Sequence, residues 1–122
     1  MNIYPAARDA LLRGDIDFDF DTFRATTTAE PYDPTDVHVT DVTTTAFAVD
    51  LAISGVADGQ VSAEAVTFPT LTGPTVVALV VFQVPSNLLI AYISRRIDAV
   101  PISVMPDGGA VTFEFPDYLV KL

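Results

Sequence analysis

The chain has 122 residues and no cysteine, and its 16 acidic against 6 basic side chains give a formal net charge of −10. This length predicts one domain over residues 1–122, because such a chain can bury a hydrophobic core of its own. The absence of cysteine excludes disulfides and thiolate chemistry, and the acidic balance argues against a nucleic-acid partner, since phosphate backbones are bound by clusters of lysine and arginine.

The N-terminal segment predicts one short helix over residues 3–14. Pro5 suits the first turn of a helix and Gly14 suits its end, and the apolar residues between them recur every three or four positions. A helix of about ten residues is marginal alone, so we expect it to dock on the rest of the chain. The segment has no basic stretch followed by an apolar stretch, and we therefore expect no secretory signal.

Residues 15–21 alternate aspartate with an apolar residue. In a strand, Ile16, Phe18 and Phe20 would face the core and the aspartates would face solvent. We therefore expect an edge strand whose like charges discourage pairing with another molecule. The threonine-rich residues 22–28 are expected to continue it.

The next part of the sequence predicts a loop followed by short strands. Residues 29–36 contain two prolines and three acids, which is typical of a loop. Strand patterns follow over residues 37–42 and 46–53, and residues 54–59 predict a turn or a short loop. A further alternating pattern covers residues 60–68.

The centre of the sequence is a predicted β-hairpin over residues 73–93. Two apolar runs rich in β-branched residues flank the turn-forming Pro85-Ser-Asn87. Both faces of each strand are apolar, whereas the outer strand of a two-layer domain has one polar face. Both faces must therefore be covered, either by the helix or by a neighbouring subunit. The first run falls far short of the ~20 residues that span a bilayer as a helix, so we expect no membrane partner.

The last third of the sequence predicts a second hairpin. Residues 100–105 and 110–115 flank Pro106-Asp-Gly-Gly109, and glycine accepts the positive φ of a tight turn. Residues 118–122 are compatible with a last short strand. Many short strands with frequent turns predict a mostly β fold, an antiparallel β-sandwich or barrel-like domain over residues 15–122.

The residue types that carry catalysis or bind metals have weak contexts in this sequence. A calcium site at Asp15, Asp17, Asp19 and Asp21 is an alternative to the edge strand, but the glycine and glutamate of an EF-hand loop are replaced by phenylalanine and threonine. His38 is the only histidine and lies in a strand pattern. We expect a surface histidine, no cofactor, no metal and no enzymatic activity.

Acidic pairs are also weak candidates for catalysis. Glycoside hydrolysis needs two carboxylates that flank a sugar ring. Glu30, Glu64 and Glu114 have no sequence context that sets them apart from the other acids. We therefore expect no glycosidase site.

Four stretches of the chain carry a family resemblance. They are residues 6–17 of the helix and its exit, residues 21–24, residues 66–82, and residues 89–93 together with 105–113. In this order they resemble small structural proteins encoded among the head and tail genes of tailed bacteriophages. The resemblance covers nearly the whole chain and departs from the family after Phe23, where similar proteins run apolar and this chain has threonines.

The resemblance implies a virion component, above all a capsid decoration or cement protein. It implies the major capsid protein and other virion proteins as partners, assembly in the bacterial host cytoplasm, and a homo-oligomer on the shell. It supplies no catalytic residue. A tail component (tube, terminator or baseplate) and a module that binds host glycans through residues 29–36 are the alternatives.

The residues themselves suggest where such a partner would bind. Val77, Leu79 and Val81 form the second apolar face of the central hairpin, and Arg95 and Arg96 are the only adjacent basic pair. Apolar faces and arginines are common in protein interfaces. We therefore predict a contact surface built from these five residues.

Overall fold

The computed structural model describes residues 2–96, 98–115 and 119–121. Within them the chain forms the helix α1 (Pro5–Arg13), a 3₁₀ turn (Val39–Asp41) and ten strands. The strands are β1 (Asn2–Ile3), β2 (Thr22–Thr28), β3 (Val49–Leu51), β4 (Ile53–Ala57), β5 (Gln60–Ala63), β6 (Val66–Phe68), β7 (Ala78–Val84), β8 (Leu89–Ile93), β9 (Val111–Phe113) and β10 (Val120–Lys121). The prediction of a mostly β fold with one short N-terminal helix is confirmed.

The strands form three antiparallel sheets. The largest has the order β1-β8-β7-β2-β3, and the two smaller sheets have the orders β10-β5-β4 and β6-β9. Among the described strands no sheet closes on itself into a barrel. The buried apolar side chains of all three sheets belong to one cluster, so the sheets share a single core.

The predicted central hairpin is present, and it lies inside the large sheet. β7 and β8 pair antiparallel, and β7 also pairs along its whole length with β2. Leu79 and Val81 on one face are 1 % and 0 % exposed, and Val80 on the other face is 0 % exposed. The sequence left open whether this chain or a neighbour covers the second face, and the structure shows that this chain covers both.

Two clusters of aromatic rings identify part of this cover. The strand register places Ala25 beside Val81 and Tyr92 beside Val80. On the face of Leu79 and Val81, the ring of Phe18 stacks on Phe23, two residues before Ala25, with 5.1 Å between centroids. On the face of Val80, the ring of Tyr92 contacts Tyr32 at a centroid distance of 5.6 Å, and Tyr32 contacts Tyr4 at 5.2 Å.

The helix docks on the hairpin as its short length requires. α1 packs against β8 and buries Ala7 and Ala10. Pro5 occupies the first turn, and Gly14 ends the helix with a φ of 78°, in the left-handed region that glycine adopts without strain. The amide of Asp15 donates to the carbonyl of Ala10 at 2.9 Å, which satisfies a carbonyl of the last turn.

The predicted edge strand over residues 15–21 is wrong, because these residues form a turn. The carboxylate of Asp21 accepts a hydrogen bond from the amide of Asp17 at 2.8 Å, and the carboxylate of Asp17 accepts one from the amide of Asp19 at 2.9 Å. Short acidic side chains that bond nearby amides compete with strand pairing. Phe18 is buried as expected, whereas Phe20 is 86 % exposed.

Three consecutive threonines of β2 are buried. Thr26, Thr27 and Thr28 are at most 2 % exposed, and each hydroxyl bonds the segment at residues 43–46. The distances from these hydroxyls to Ala46 O, Thr45 Oγ1 and Thr43 O are 2.8, 2.7 and 2.9 Å in that order. Their hydrogen bonds offset the penalty for burying hydroxyl groups. The single strand predicted over residues 46–53 is not observed as such, because Ala46 belongs to the segment that bonds these threonines and the strands β3 and β4 begin later, at Val49 and Ile53.

The predicted strand over residues 37–42 is also wrong. The carboxylate of Asp41 accepts hydrogen bonds from the amides of Val37 and His38, both at 3.0 Å. These bonds hold the chain in the 3₁₀ turn, and only a single bridge between His38 and Leu88 resembles strand pairing.

The predicted second hairpin does not form. β9 pairs with β6, and Phe113 and Phe68 meet edge to face with 5.8 Å between centroids. The Pro106–Gly109 turn bonds Leu71 instead, through Leu71 N to Gly109 O at 3.1 Å and Gly108 N to Leu71 O at 2.8 Å. A turn motif predicts a chain reversal, but it does not determine which strand pairs with the next one.

A different hairpin occupies the region where only a turn was expected. β4 and β5 pair across the two-residue turn Asp58-Gly59, whose φ angles are 55° and 74°. Positive φ at both turn residues matches the twist of a tight hairpin. The predicted last strand is present in part, since β10 pairs with β5, while Tyr118 and Leu122 lie outside the described residues.

We predict that Thr28→Val lowers the free energy of unfolding by about 1–2 kcal/mol, because the hydroxyl bonds of Thr28 to Thr43 O and Glu30 N are lost at a buried position. Urea denaturation followed by circular dichroism measures this as a lower midpoint with an unchanged slope. The matched control is Thr67→Val, which removes an exposed hydroxyl bond to Thr112. Equal stability of the two variants would contradict the role given to the buried hydroxyl.

Candidate functional site

The structure brings together two of the five residues predicted to form a contact surface. Val77 and Arg95 line one surface cleft of about 440 Å³, which we call the Arg95 cleft. Leu79 and Val81 lie in the core of this chain, so their side chains are not available to a partner. Arg96 is exposed and lines a different cleft.

The Arg95 cleft is built from segments that are far apart in the sequence. Its walls come from the loop after β2, the start of β7, the end of β8 and the segment that follows β8. The lining residues are Ala29, Pro31, Val77, Tyr92, Ser94, Arg95, Pro101 and Ile102. The predicted contact surface contains two of these eight, and Ala29 and Pro31 belong to the loop named for the glycan-binding alternative. No local sequence pattern connects the two prolines or the tyrosine with Val77.

Backbone contacts fix the position of Arg95. It forms an isolated β-bridge with Pro101, and its Nη1 donates a hydrogen bond to the carbonyl of Ala99 at 2.9 Å. No carboxylate pairs with Arg95 within the described parts of the chain. Backbone contacts alone therefore hold this side chain in the described structure.

The neighbouring Arg96 differs in this respect. Arg96 and Asp98 form an ion pair, with Arg96 Nε 3.3 Å from Asp98 Oδ1. This contact raises the pKa of Arg96, and it lowers the pKa of Asp98. The adjacent basic pair of the sequence thus divides into one paired and one unpaired arginine.

A tyrosine cluster holds one wall of the Arg95 cleft in place. The rings of Tyr4, Tyr32 and Tyr92 pack in series, and burial raises the pKa of each phenol. The hydroxyl of Tyr92 donates to the carbonyl of Glu30 at 2.7 Å. The loop that carries Pro31 is therefore fastened to β8.

His38 is exposed, as predicted for a surface histidine, and lies beside the 3₁₀ turn. It lines a cleft together with Ser86, but the hydroxyl of Ser86 donates to Gln83 Oε1 at 2.8 Å. A nucleophile is activated by a hydrogen bond to its base. The structure does not place this serine and histidine in such a pair.

The aspartate series serves the local fold. Besides the amide of Asp17, the carboxylate of Asp21 accepts a hydrogen bond from Gln83 Nε2 at 2.6 Å. Among the described residues no group of three or more histidine or acidic side chains is placed to hold a metal ion.

The three candidate glutamates lie on separate segments. The carboxylate of Glu30 accepts a hydrogen bond from the amide of Thr43 at 3.2 Å, and hydrogen bonding to Thr43 lowers the pKa of Glu30. Glu64 and Glu114 are exposed, and the register of β6 and β9 places them at the same end of that small sheet. Glu30 is therefore part of the network that holds the loop after β2.

Comparison with known proteins adds no relative, since no family model, no curated protein and no solved structure matches the chain. The resemblance to phage structural proteins therefore stays a prediction. None of the helices in the described residues is both long enough and apolar enough to cross a membrane.

We predict that Asp41→Asn destabilises the protein near neutral pH and that the effect fades in acid. The amides of His38 and Val37 hold the pKa of Asp41 below its usual value. A carboxyl group with a lowered pKa contributes stability above its unfolded-state pKa of about 4, and that contribution is lost as the pH falls through the folded-state pKa. Thermal unfolding of both proteins between neutral pH and about pH 3 measures the difference.

The matched control is Asp58→Asn, which removes the same charge from the turn between β4 and β5. Asparagine also tolerates the positive φ of that position. A difference between Asp41→Asn and the wild type that stays constant with pH would contradict the role of the Asp41 carboxylate.

Proposed function

We propose that this chain is a structural protein of a tailed-phage virion, and specifically a decoration or cement protein that binds the major capsid protein on the outer surface of the head. The resemblance of the sequence supports the virion, and the Arg95 cleft supports binding by adhesion. The observation that carries the proposal is an arginine that has no ion pair in the described part of the chain and lies in a cleft lined by both apolar and polar side chains, on a protein of net charge −10.

The chemistry of the Arg95 cleft defines what it binds. Apolar area removed from water contributes roughly 25 cal/mol per Å², and the walls provided by Pro31, Val77 and Pro101 supply such area. A guanidinium can bind a carboxylate through two parallel hydrogen bonds, and Arg95 uses Nη1 for the carbonyl of Ala99 and keeps other N–H groups for such a contact. The partner therefore presents an acidic side chain next to an apolar one.

The net charge determines how the chain meets that partner. The net negative charge opposes the approach of an acidic protein, and the Arg95 cleft offers one place where a positive side chain can offset this repulsion. Complementary charges orient two proteins during their encounter and exclude wrong orientations. The same net charge suits the outer side of a shell, since packaged DNA repels it from the inner side.

A decoration protein strengthens a shell by many small contacts. A standard interface buries on the order of 800 Å² per partner. A small domain that bridges neighbouring capsid subunits repeats such a contact around the lattice, so the contacts add up over the whole head. Each contact needs only moderate affinity for the shell to resist internal pressure.

Imaging of the phage particle at near-atomic resolution tests the location. Density for this chain at regular positions on the outer head surface would support the proposal. Density in the tail would instead identify a tail component. Retention of the purified protein on host cells or on a glycan array, without binding to heads, would identify a glycan-binding module.

We predict that Arg95→Glu weakens binding to the heads by at least about tenfold, which corresponds to roughly 1.4 kcal/mol, because it replaces attraction by repulsion in the cleft. Co-sedimentation of the purified protein with heads that lack it measures the affinity. Arg13→Glu, at the exposed end of α1 and outside the cleft, is the matched charge control. Equal binding by the two variants would rule out the Arg95 cleft as the contact.

A further inference from the structure

The edge of the three-stranded sheet is open. β4 has five residues and is the longest strand among the described sheet edges, with β5 as its one neighbour. Across the Asp58-Gly59 turn Ala57 pairs with Gln60, so the antiparallel pattern points the amide and carbonyl of Val56 away from β5. An unpaired row of backbone groups of this kind is a template for another strand.

β4 lacks most features that protect natural edges. Edge strands are commonly blocked by lysine, proline or inward-facing charges, and the sequence Ile-Ser-Gly-Val-Ala contains none of them. Its one irregularity is a register shift between Ile53 and Gly55, at the end remote from the turn. Val56 is 48 % exposed, and nothing lies within 4 Å of the position that a side chain at Gly55 would take.

A second cleft lies beside this edge, and its character is acidic. It has a volume of about 470 Å³ and includes Ser54 and Gly55 of β4. Buried apolar residues contribute to its lining, namely Phe18, Phe23 and Leu51. The acidic lining residues are Asp19, Asp21 and Asp50.

The three acids carry net negative charge into this cleft. Arg24 partly neutralises Asp50 through a contact of 3.1 Å, but both side chains remain solvent-exposed. The carboxylate of Asp19 has no hydrogen bond or ion pair within the described part of the chain. An exposed aromatic ring, Phe20, lies between two of the acids in the sequence.

We propose that β4 and the acidic cleft beside it accept an extended segment of a partner protein as an added strand, with lysine or arginine side chains of that segment directed to the cleft. Backbone pairing provides affinity in this mode of recognition, and pockets for alternate side chains provide specificity. Charge argues against a second copy in a symmetric β4–β4 pairing, because both copies are strongly acidic and Asp58 adjoins the edge. The inference does not depend on the proposed function.

Three synthetic peptides test the proposal on the full chain. The first alternates valine with lysine, the second alternates valine with glutamate, and the third is the lysine peptide with N-methyl groups on amides of both edges. Calorimetry measures affinity, and amide exchange by NMR on the labelled protein reports on Val56. We expect the lysine peptide to bind and to protect the Val56 amide, the glutamate peptide to bind at least about tenfold more weakly, and the methylated peptide to give no protection.

Two protein variants separate the contribution of backbone pairing to peptide binding from the contribution of charge. Val56→Pro removes the outward amide, and proline is tolerated on a sheet edge, so binding of the lysine peptide should be lost. Asp19→Asn should weaken that binding and reduce its salt dependence, while Asp107→Asn, which lies outside the cleft lining, should leave it unchanged. If Val56→Pro does not fold, the methylated peptide makes the same test from the side of the ligand.

Several results would overturn the proposal. One is failure of the lysine peptide to bind, and another is equal binding of all three peptides. Binding without protection of Val56 would place the peptide elsewhere. Protection of Val56 that increases with protein concentration in the absence of peptide would identify a second copy of the chain as the occupant.

Discussion

Burial of β7 on both faces is the constraint on which the rest of the structure depends. A strand that is apolar on both faces must have cover above and below its sheet. β2 and β8 occupy its two edges, and the rings around Phe18 and Tyr32 cover parts of the two faces of the sheet. The covering segments therefore leave only the ends of the central hairpin, such as Val77, for a surface cleft.

The buried threonines connect this constraint to the candidate site. Thr28 bonds the carbonyl of Thr43 and accepts a bond from the amide of Glu30, while Glu30 accepts bonds from the amide of Thr43 and from the hydroxyl of Tyr92. These hydrogen bonds thus join β2, the segment that contains Thr43, and β8. Pro31, which lines the Arg95 cleft, directly follows Glu30 in the sequence. An apolar side chain at position 28 would fill the same space, but it would leave the loop that forms the cleft wall without this anchor.

The sequence predicts those parts of the fold whose signals are local. The helix end at Gly14 and the central hairpin are such parts. The alternation of residues 15–21 resembles a strand, but aspartate bonds to neighbouring amides decide the structure. Which strand pairs with which is not determined by local sequence, so the sequence does not predict the pairing of β9 with β6. For the same reason Val77 and Arg95 could be selected by residue type, whereas Pro31 and Pro101 join the cleft only through the tertiary fold.

The two surfaces proposed for binding differ in sign, and this difference limits how the molecule can assemble. The Arg95 cleft presents an arginine, and the cleft beside β4 presents three aspartates. An isologous contact places the same patch of two copies together, so either surface would meet its own charge in such a dimer. Contacts between unlike surfaces avoid this repulsion. Under the two proposals together, one molecule holds two chemically different partner segments at once, an acidic segment at the Arg95 cleft and a basic segment beside β4.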